Sequence, residues 1–301
     1  MDRSAAPHLP PWIATMLAPG TERYVVDVGG MKMHVAERGT GIPVLMLHGN
    51  PTWGFLWRKV AAELDPTKYR CIMPDLIGLG LSDKPHDARA HTIEAHARWI
   101  GALVDQLALA SFILVVQDWG GAIGFRMAAE RAAQVRGLVV LNTAIGPPKK
   151  DFKPTAFHRF ARTPLAAVVF RLLHFPQVSL GMAQGDRKSI AGKVTGAYVW
   201  PLRRWSERVA PLALARMVPD SQAHPSIAPL TVSQGFVQSF RGPAAIVWGD
   251  KDPVLGRLRR WVEQNLPQAS VSHSDAGHFI QEERPREIAE GIRRVAEAKA
   301  P

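Results

Sequence analysis

A carboxylate directly follows an apolar run near the middle of the chain. Residues 112–116 are apolar, and Gln117, Asp118, Trp119 and two glycines come next. Strand, any residue, nucleophile, any residue and glycine is the order of a nucleophile elbow. Serine is the usual nucleophile there, whereas an aspartate needs no base and can displace a leaving group directly from an sp³ carbon. Asp118 is therefore predicted to be a nucleophile, with a helix N-cap as the alternative.

An acid and then a histidine follow later in the chain, in the order that an elbow of this kind predicts. His278 lies in a short loop near the C-terminus and is predicted to act as a general base toward water. Asp252 is predicted to orient this histidine, because it completes a Gly-x-x-Asp pattern that begins at Gly249. Asp250 is the alternative acid. A metal site at His273 and His278 is not expected, because no carboxylate or cysteine spacing completes it.

These side chains need a scaffold that brings distant loops together. Short β-branched or apolar runs alternate with helical patterns, which predicts an α/β fold with a mainly parallel sheet and helices on both faces. Ligands bind beyond the carboxyl ends of such strands, where all three residues fall. Eight strands are predicted, at residues 24–28, 33–38, 44–47, 69–73, 112–116, 138–141, 244–248 and 269–273. Helices are predicted at residues 53–64, 92–107 with Thr92 as N-cap, 121–131, 232–240 and 286–298.

Residues 147–227 break this alternation, since they carry many aromatic residues and prolines but no clear strand. We expect a helical cap inserted between strands 6 and 7, with residues 1–146 and 228–301 forming the core domain. Between Pro148 and Gln222, 13 lysines and arginines stand against 4 aspartates and glutamates, and the whole chain has a net charge of +11. Such a lobe could attract an anionic partner, with a solvated helical face as the alternative. No nucleic-acid-binding motif accompanies the charge, so no nucleic acid is expected.

Composition limits the remaining classes. The 301 residues, 47% of them hydrophobic, suffice for one large core with an inserted lobe. The single cysteine, Cys71, lies in an apolar stretch and excludes a disulfide framework and a cysteine-ligated zinc cluster. No apolar run reaches the roughly 18 residues that span a bilayer. The N-terminal region contains prolines where a signal peptide needs an apolar segment, so we expect a cytoplasmic protein.

From about Tyr24 onward the chain resembles a haloalkane dehalogenase of the α/β-hydrolase superfamily. The resemblance lies in HGNPTWGFLWR (48–58), DLIGLGLSDKP (75–85), VVQDWGG (115–121), WGDKDPV (248–254) and AGHFIQEERP (276–285). HGNP together with QDWGG is the specific pair. It implies that the side chains of Asn50 and Trp119 bind the departing halide. It also implies that the backbone N–H groups of the same two residues form an oxyanion hole.

The resemblance also indicates a subfamily. One group takes a glutamate from the loop after the sixth strand, but that loop reads LNTA here, with Asn142 and no acid. An acid after the seventh strand, with asparagine and tryptophan as halide ligands, resembles the third haloalkane dehalogenase subfamily. Members of that group self-associate, so a homo-oligomer is implied.

The implied reaction converts an apolar haloalkane to a primary alcohol, a halide ion and a proton through an alkyl ester on Asp118, without a cofactor. Four alternative functions share features with this chain. An epoxide hydrolase needs two cap tyrosines, and only Tyr198 lies in the lobe. A fluoroacetate dehalogenase needs an arginine near the nucleophile, and the nearest downstream is Arg126. A coelenterazine-type luciferase resembles the subfamily with the glutamate acid. A non-catalytic basic-surface binding protein rests on the charge of the lobe alone.

Overall fold

A single nine-stranded sheet forms the centre of the computed structural model, which describes residues 3–298. The strand order is β1-β2-β3-β5-β4-β6-β7-β8-β9. Strands β1 to β3 pair antiparallel, β3 also pairs antiparallel with β5, and the strands from β5 to β9 pair parallel. The strands are β1 (Arg3–Ala5), β2 (Glu22–Asp27), β3 (Lys32–Arg38), β4 (Ile42–Leu47), β5 (Tyr69–Pro74), β6 (Phe112–Val116), β7 (Val135–Val140), β8 (Ala244–Gly249) and β9 (Ser270–Ser274).

All eight predicted strands are present, but the predicted number of strands is wrong by one. The additional strand, β1, pairs antiparallel with β2 at the edge of the sheet, with Ser4 opposite Val25. Its three residues are all exposed. It therefore lacks the buried apolar pattern from which a strand is predicted.

Twelve α-helices and eight short 3₁₀ helices surround the sheet in the described residues. The α-helices are α1 (Pro11–Ala14), α2 (Arg58–Ala62), α3 (Ile93–Gln106), α4 (Trp119–Glu130), α5 (Ala156–Ala161), α6 (Pro164–Leu172), α7 (Lys193–Val199), α8 (Ala210–Arg216), α9 (Ile227–Ser239), α10 (Arg259–Asn265), α11 (Ile280–Glu283) and α12 (Pro285–Glu297). The 3₁₀ helices are Gly54–Trp57, Ala88–Ala90, Ala132–Gln134, Gln177–Ala183, Arg187–Ile190, Trp200–Leu202, Trp205–Glu207 and Gly256–Leu258.

The helix predictions hold with shifted ends. Thr92 caps α3 as predicted, because its hydroxyl oxygen accepts a hydrogen bond from the Ala95 N–H at 3.1 Å. The helix predicted at residues 53–64 is divided into the 3₁₀ helix Gly54–Trp57 and the shorter α2. Helix α9 begins five residues before the predicted start at residue 232. Within residues 3–298, no single helix is long and apolar enough to cross a bilayer.

The core consists of apolar layers on both faces of the sheet. In β4, Leu45 and Leu47 pack into one layer, while Val44 and Met46 pack into the other. Strands β6 and β8 are buried on both faces and appear in the sequence as continuous apolar runs, whereas the edge strand β9 is partly exposed. Cys71 is part of this buried filling, as predicted.

Residues 147–227 contain helices α5 to α8, the start of α9 and no strand, and they follow β7 and precede β8. Part of this segment has an apolar centre of its own, formed by Ala161, Ala166, Phe170, Leu212 and Ala215. We retain the division into a core of residues 1–146 and 228–301 and a cap of residues 147–227 as a proposal.

Candidate active site

Asp118 occupies a sharp turn between β6 and α4. Its φ of 51° and ψ of −128° lie in a region that residues other than glycine seldom adopt. Two contacts from the loop after β7 hold this conformation. The Asp118 N–H donates to the Asn142 carbonyl at 2.9 Å, and the Thr143 hydroxyl donates to the Asp118 carbonyl at 2.6 Å. The N-cap alternative is wrong for the side chain, because the Asp118 carboxylate makes no capping hydrogen bond to α4.

Two glycines allow the turn to lie this close to its neighbours. A Cβ atom added at Gly49 would lie 2.1 Å from Asp118 Oδ1, and one added at Gly121 would lie 2.0 Å from Thr143 Oγ1. Both distances are far below van der Waals contact. The glycines in the HGNP and DWGG stretches therefore leave room for the nucleophile and its supporting loop.

Asn50 contacts the nucleophile from β4, the strand beside β6 in the sheet. Its backbone N–H donates to Asp118 Oδ1 at 2.8 Å, which is the position predicted for an oxyanion-hole donor. Its side-chain amide donates to the Pro211 carbonyl of α8 at 2.9 Å. An amide nitrogen has two N–H bonds, so this contact uses only one of them.

Trp119 directly follows the nucleophile at the start of α4. The ring is half-buried and packs against the core layer that contains Leu47. Its indole N–H has no hydrogen-bond partner in the part of the chain that the structure describes. The indole thus keeps a free neutral donor next to the Asp118 carboxylate.

His278 lies between two carboxylates. Its Nδ1 is 2.8 Å from Asp252 Oδ2, and its Nε2 is 3.5 Å from Asp118 Oδ2. The side chains of His278 and Asp252 are almost completely buried, although their loops follow different strands, β9 and β8. The three residues predicted to act together are therefore in contact.

Asp250, the alternative acid, contacts other residues. Its Oδ2 is 2.7 Å from His273 Nδ1 and its Oδ1 is 2.9 Å from Arg259 Nε. This group is on the surface, whereas the Asp252 side chain is fully buried. His273 and His278 thus bind different carboxylates. In the described residues no three His, Cys, Asp or Glu side chains form a group that could hold a metal ion.

The two neighbouring aspartates provide a matched mutational pair. We expect Asp252→Asn to reduce kcat by about 10²- to 10⁴-fold, because an amide cannot stabilise the imidazolium that forms when His278 accepts a proton. Asp250→Asn should change kcat less than about twofold, since only surface ion pairs are lost. Steady-state halide release measures both. Equal losses in the two variants would contradict the assignment of Asp252.

Burial on its own lowers the pKa of His278, but the charges of Asp252 and Asp118 and their hydrogen bonds outweigh it and raise the pKa to about 10. Burial likewise tends to raise the pKa of Asp252, yet His278 and the N–H groups of Val254 and Leu255 hold it below its usual value. The two carboxylates therefore favour the imidazolium form of the ring. Removal of one of these negative charges would favour the neutral form, which is the form that can accept a proton.

Gln117, which precedes the nucleophile, also contacts the histidine. Its Nε2 donates to the His278 carbonyl at 3.1 Å and lies 3.2 Å from His278 Nε2. The second contact is a hydrogen bond only when His278 Nε2 carries a lone pair and can accept, which requires the neutral form of the imidazole ring. Gln117 thus favours the neutral form of His278, whereas the two carboxylates favour the charged form and have the larger combined effect on its pKa. Nothing in the sequence pattern predicts a role for Gln117.

Asn142 was considered in the sequence only as the place where an acid is absent. In the structure its Nδ2 donates to Asp252 Oδ2 at 2.9 Å and to the Gly249 carbonyl at 2.8 Å. The Gly249 N–H donates back to Asn142 Oδ1 at 2.8 Å. Asn142 therefore fixes the loop that carries the acid. The sequence feature that could have predicted a role for Asn142 is its position, as a polar residue at the carboxyl end of an apolar strand.

The residues considered for other activities are engaged elsewhere. The Tyr198 hydroxyl is buried and donates to Glu282 Oε1 at 2.6 Å, so its proton is not directed at an epoxide beside Asp118. Arg126 forms ion pairs with Glu94 and Glu130 at 2.8 Å each. It is therefore not available near the nucleophile for a substrate carboxylate.

Comparison with known proteins identifies the family of the chain. The sequence model of the α/β hydrolase fold family matches residues 42–285. A haloalkane dehalogenase from Mycobacterium marinum is 34% identical over 274 residues, covering 88% of this chain and 89% of that protein. The chain belongs to the haloalkane dehalogenase family. The predicted fold class and the predicted family are confirmed.

Solved haloalkane dehalogenases share the fold over most of their length. The enzyme DatA from Agrobacterium tumefaciens C58 superimposes with a TM-score of 0.82 at 26% identity, covering 95% of this chain and 97% of that one. DbeA from Bradyrhizobium elkani USDA94 gives 0.80 at 29% identity, covering 90% and 96%. A relative from Xanthomonas campestris pv. campestris carries another name, cis-3-alkyl-4-alkyloxetan-2-one decarboxylase. It is 34% identical, covering 89% of this chain and 93% of that protein.

Proposed function

We propose that the protein hydrolyses haloalkanes to a primary alcohol, a halide ion and a proton. The observation that carries the proposal is that two residues with neutral N–H donors adjoin Asp118: Trp119, which follows it at the start of α4, and Asn50, whose backbone N–H contacts Asp118 Oδ1 and whose amide has an N–H to spare. A departing halide gathers negative charge and has no use for a proton, so fixed neutral N–H groups suit it.

In the first step, an Asp118 carboxylate oxygen attacks the carbon that carries the halogen. The new C–O bond forms as the C–X bond breaks, and the halide leaves with the electron pair toward Asn50 and Trp119. Asp118 becomes a neutral alkyl ester. The step needs no proton transfer, which is consistent with a carboxylate that already lies free of capping hydrogen bonds.

In the second step, His278 accepts a proton from water, and the resulting hydroxide attacks the ester carbonyl carbon. The developing oxyanion lies where the Asn50 N–H now contacts Asp118 Oδ1. Collapse of the intermediate breaks the bond between the acyl carbon and the alkoxy oxygen. The alkoxide takes the proton of the newly added hydroxyl as it leaves, so Asp118 is a carboxylate again. The imidazolium, which Asp252 stabilises, then releases to solvent the proton that it took from water.

Halide release from a panel of bromo-, iodo- and chloroalkanes tests this proposal. Turnover should appear with at least one primary haloalkane and disappear in Asp118→Asn. In heavy-oxygen water, the label should enter the Asp118 carboxylate before it reaches the alcohol. Label in the alcohol alone after one turnover would show that water attacks the substrate directly.

The indole donor can be tested separately. Trp119→Phe retains a ring of similar shape but lacks the N–H, so we expect a loss of on the order of 10²-fold in the halide-release step. Single-turnover kinetics on a good substrate measures that step. Trp99→Phe, which changes a half-buried tryptophan of α3, is the matched control and should leave the rate unchanged. An unaltered rate in Trp119→Phe would remove the indole from the mechanism.

A second candidate activity rests on the decarboxylase relatives. Proteins named cis-3-alkyl-4-alkyloxetan-2-one decarboxylase match at 32% and 34% identity, as high as the dehalogenases. In that reaction a four-membered lactone would break into an alkene and carbon dioxide, with no water consumed. Incubation with a cis-3,4-dialkyloxetan-2-one and gas chromatography for the alkene separates the two activities. Alkene formation without halide release from any haloalkane would favour the second.

Several further properties are part of the same proposal. The acid after the seventh strand, with Asn50 and Trp119 as halide ligands, supports membership of the third dehalogenase subfamily. A homo-oligomer, a cytoplasmic location and a mechanism without cofactor stay predictions.

A further inference from the structure

The outer surface of the cap exposes an apolar patch. Helix α6 is apolar almost throughout, and its inner side, Ala166 and Phe170, is buried against Leu212 and Ala215. On its outer side, Leu165, Val168 and Leu172 follow one another at helical spacing. With neighbouring side chains they form what we call the cap patch, whose members are each 50–68% exposed: Leu165, Val168, Leu172, Leu173, Val178 and Met182.

The patch is concentrated in one short segment. Twelve large hydrophobic side chains are exposed among residues 3–298, and six of them fall within residues 165–182. Scattered exposed apolar residues are ordinary, but such a concentration in one segment of the cap indicates a surface that binds something apolar.

The shape of the patch suits a flat apolar boundary rather than a membrane span. Helix α6 and the 3₁₀ helix Gln177–Ala183 together have the length and apolarity of a span, but they meet at 97°. Their inner side chains, including Phe170 and Leu180, are buried within the protein. Only the outer side chains are therefore free to enter an apolar layer.

Cations lie beside this patch. Arg171 is part of α6, and the exposed Arg187 and Lys188 begin the next 3₁₀ helix. That helix lies against the 3₁₀ helix of the patch, since a Cβ atom added at Gly181 would be 3.5 Å from the Arg187 carbonyl oxygen. None of these three side chains forms an ion pair within the described residues. Two carboxylates lie near these cations, the exposed Asp186, which precedes Arg187, and Glu283, which accepts a hydrogen bond from the Asp186 N–H at 2.9 Å. Three cations against two carboxylates leave a small positive charge beside the patch, within a segment, residues 148–222, that has 13 lysines and arginines against 4 aspartates and glutamates.

This charge selects the partner. A second copy of the chain docking through the same patch would bring two positive rims together, which like-charge repulsion opposes. Anionic phospholipid offers an apolar layer bordered by phosphates, which matches both parts of the surface. We propose that the cap docks peripherally on an anionic phospholipid surface. The cap patch enters the boundary between head groups and acyl chains, and Arg171, Arg187 and Lys188 contact the phosphates.

The docking surface lies one helix away from the candidate active site. Phe170 of α6 packs against α8, and the Pro211 carbonyl of α8 accepts the hydrogen bond from Asn50. An apolar substrate dissolved in the bilayer would meet the protein on the side of this helix pair. Docking itself does not depend on catalysis, so Asp118→Asn should bind lipid as the unaltered protein does.

Vesicle flotation tests the proposal, with phosphatidylcholine vesicles that contain or lack phosphatidylglycerol. The full chain should float with the anionic vesicles and not with the neutral ones, and the bound fraction should fall as salt is added. Val168→Glu with Leu172→Glu should reduce the partition coefficient at least about tenfold, because it places charge in the apolar layer. Val232→Glu, an exposed valine of α9 outside the patch, is the matched control and should bind normally.

The charges are tested in the same assay. Arg187→Glu with Lys188→Glu should also lower binding at least about tenfold, while Arg260→Glu, an exposed arginine of α10, should not. Absence of binding to anionic vesicles, or equal binding to neutral ones, would overturn the proposal. A second result would also overturn it. If the protein does not bind lipid, and Val168→Glu with Leu172→Glu converts an oligomer to a monomer in sedimentation, then a second copy of the chain covers the patch. All the changed side chains are on the surface, and circular dichroism verifies that the variants fold.

Discussion

In His278→Phe, one equivalent of halide per chain is expected to appear, after which release should stop. The first step needs Asp118, Asn50 and Trp119 but no proton transfer, so it proceeds without the imidazole. The second step requires a base for water, and His278 is the group in contact with both Asp118 and Asp252. Steady-state turnover should fall by on the order of 10⁶-fold, the loss typical when a residue of such a unit is removed.

Intact-protein mass spectrometry identifies the trapped species. The mass should increase by that of the alkyl group, and peptide mapping should place the increase on Asp118. His273→Phe is the matched control, because His273 pairs with Asp250 on the surface and should leave turnover unchanged. Continued turnover in His278→Phe without an adduct would refute the role of His278 as base.

Asp118→Asn is expected to abolish both steps and to change the titration of the histidine. Loss of a covalent nucleophile lowers turnover by on the order of 10⁶-fold. The substitution also removes one of the two negative charges that raise the pKa of His278 to about 10. An opposite charge at this distance shifts a pKa by roughly one unit or more, so the pKa of His278 should fall by about that amount.

The stability of the fold should follow the same titration. Because the pKa of His278 is raised in the folded protein, its protonation stabilises the fold fully below the unfolded value of 6.5. This contribution is lost as the pH rises through about 10. In Asp118→Asn the loss should be complete at a lower pH. Titration of the His278 ring by NMR measures the shift, and Asp250→Asn, which does not contact this ring, is the control. An unchanged pKa in Asp118→Asn would contradict the coupling.

This coupling gives the two steps of the reaction an order. While Asp118 is a carboxylate, the charged ring cannot take a proton from water. Conversion of Asp118 to a neutral ester removes that charge, which lowers the pKa of His278 and favours its basic form. Gln117 then donates to the neutral Nε2. In the proposed mechanism, the first step therefore makes His278 more readily neutral, and so a better base, for the second step.

Much of this arrangement could be predicted from the sequence, for physical reasons. Strands β6 and β8 are buried throughout, so they stand out as apolar runs, and Asp118 and Asp252 were recognisable by their position after them. β9 is a partly exposed edge strand, and His278 was recognisable instead by its place after the acid in the chain. Thr92 was predictable because its capping hydrogen bond is local in the chain.

Contacts between distant loops were not predictable in this way. The hydrogen bonds of Asn142 to the acid loop join residues 107 and 110 positions apart, and the bond from Asn50 to Pro211 spans 161. No local pattern specifies such partners. β1 was missed because its exposed residues carry no apolar periodicity, and its pairing depends on the edge of β2.

The hydrogen bond from Asn50 to Pro211 has a thermodynamic consequence. In the proposed mechanism the same amide nitrogen donates one N–H to the cap and the other to the leaving anion, so the two interactions share a single rigid group. Anion occupancy and the position of α8 are then linked equilibria. If displacement of the cap changes the affinity for the anion by some factor, then binding of the anion changes the equilibrium constant for cap displacement by the same factor. Product release and cap movement thus belong to one binding cycle.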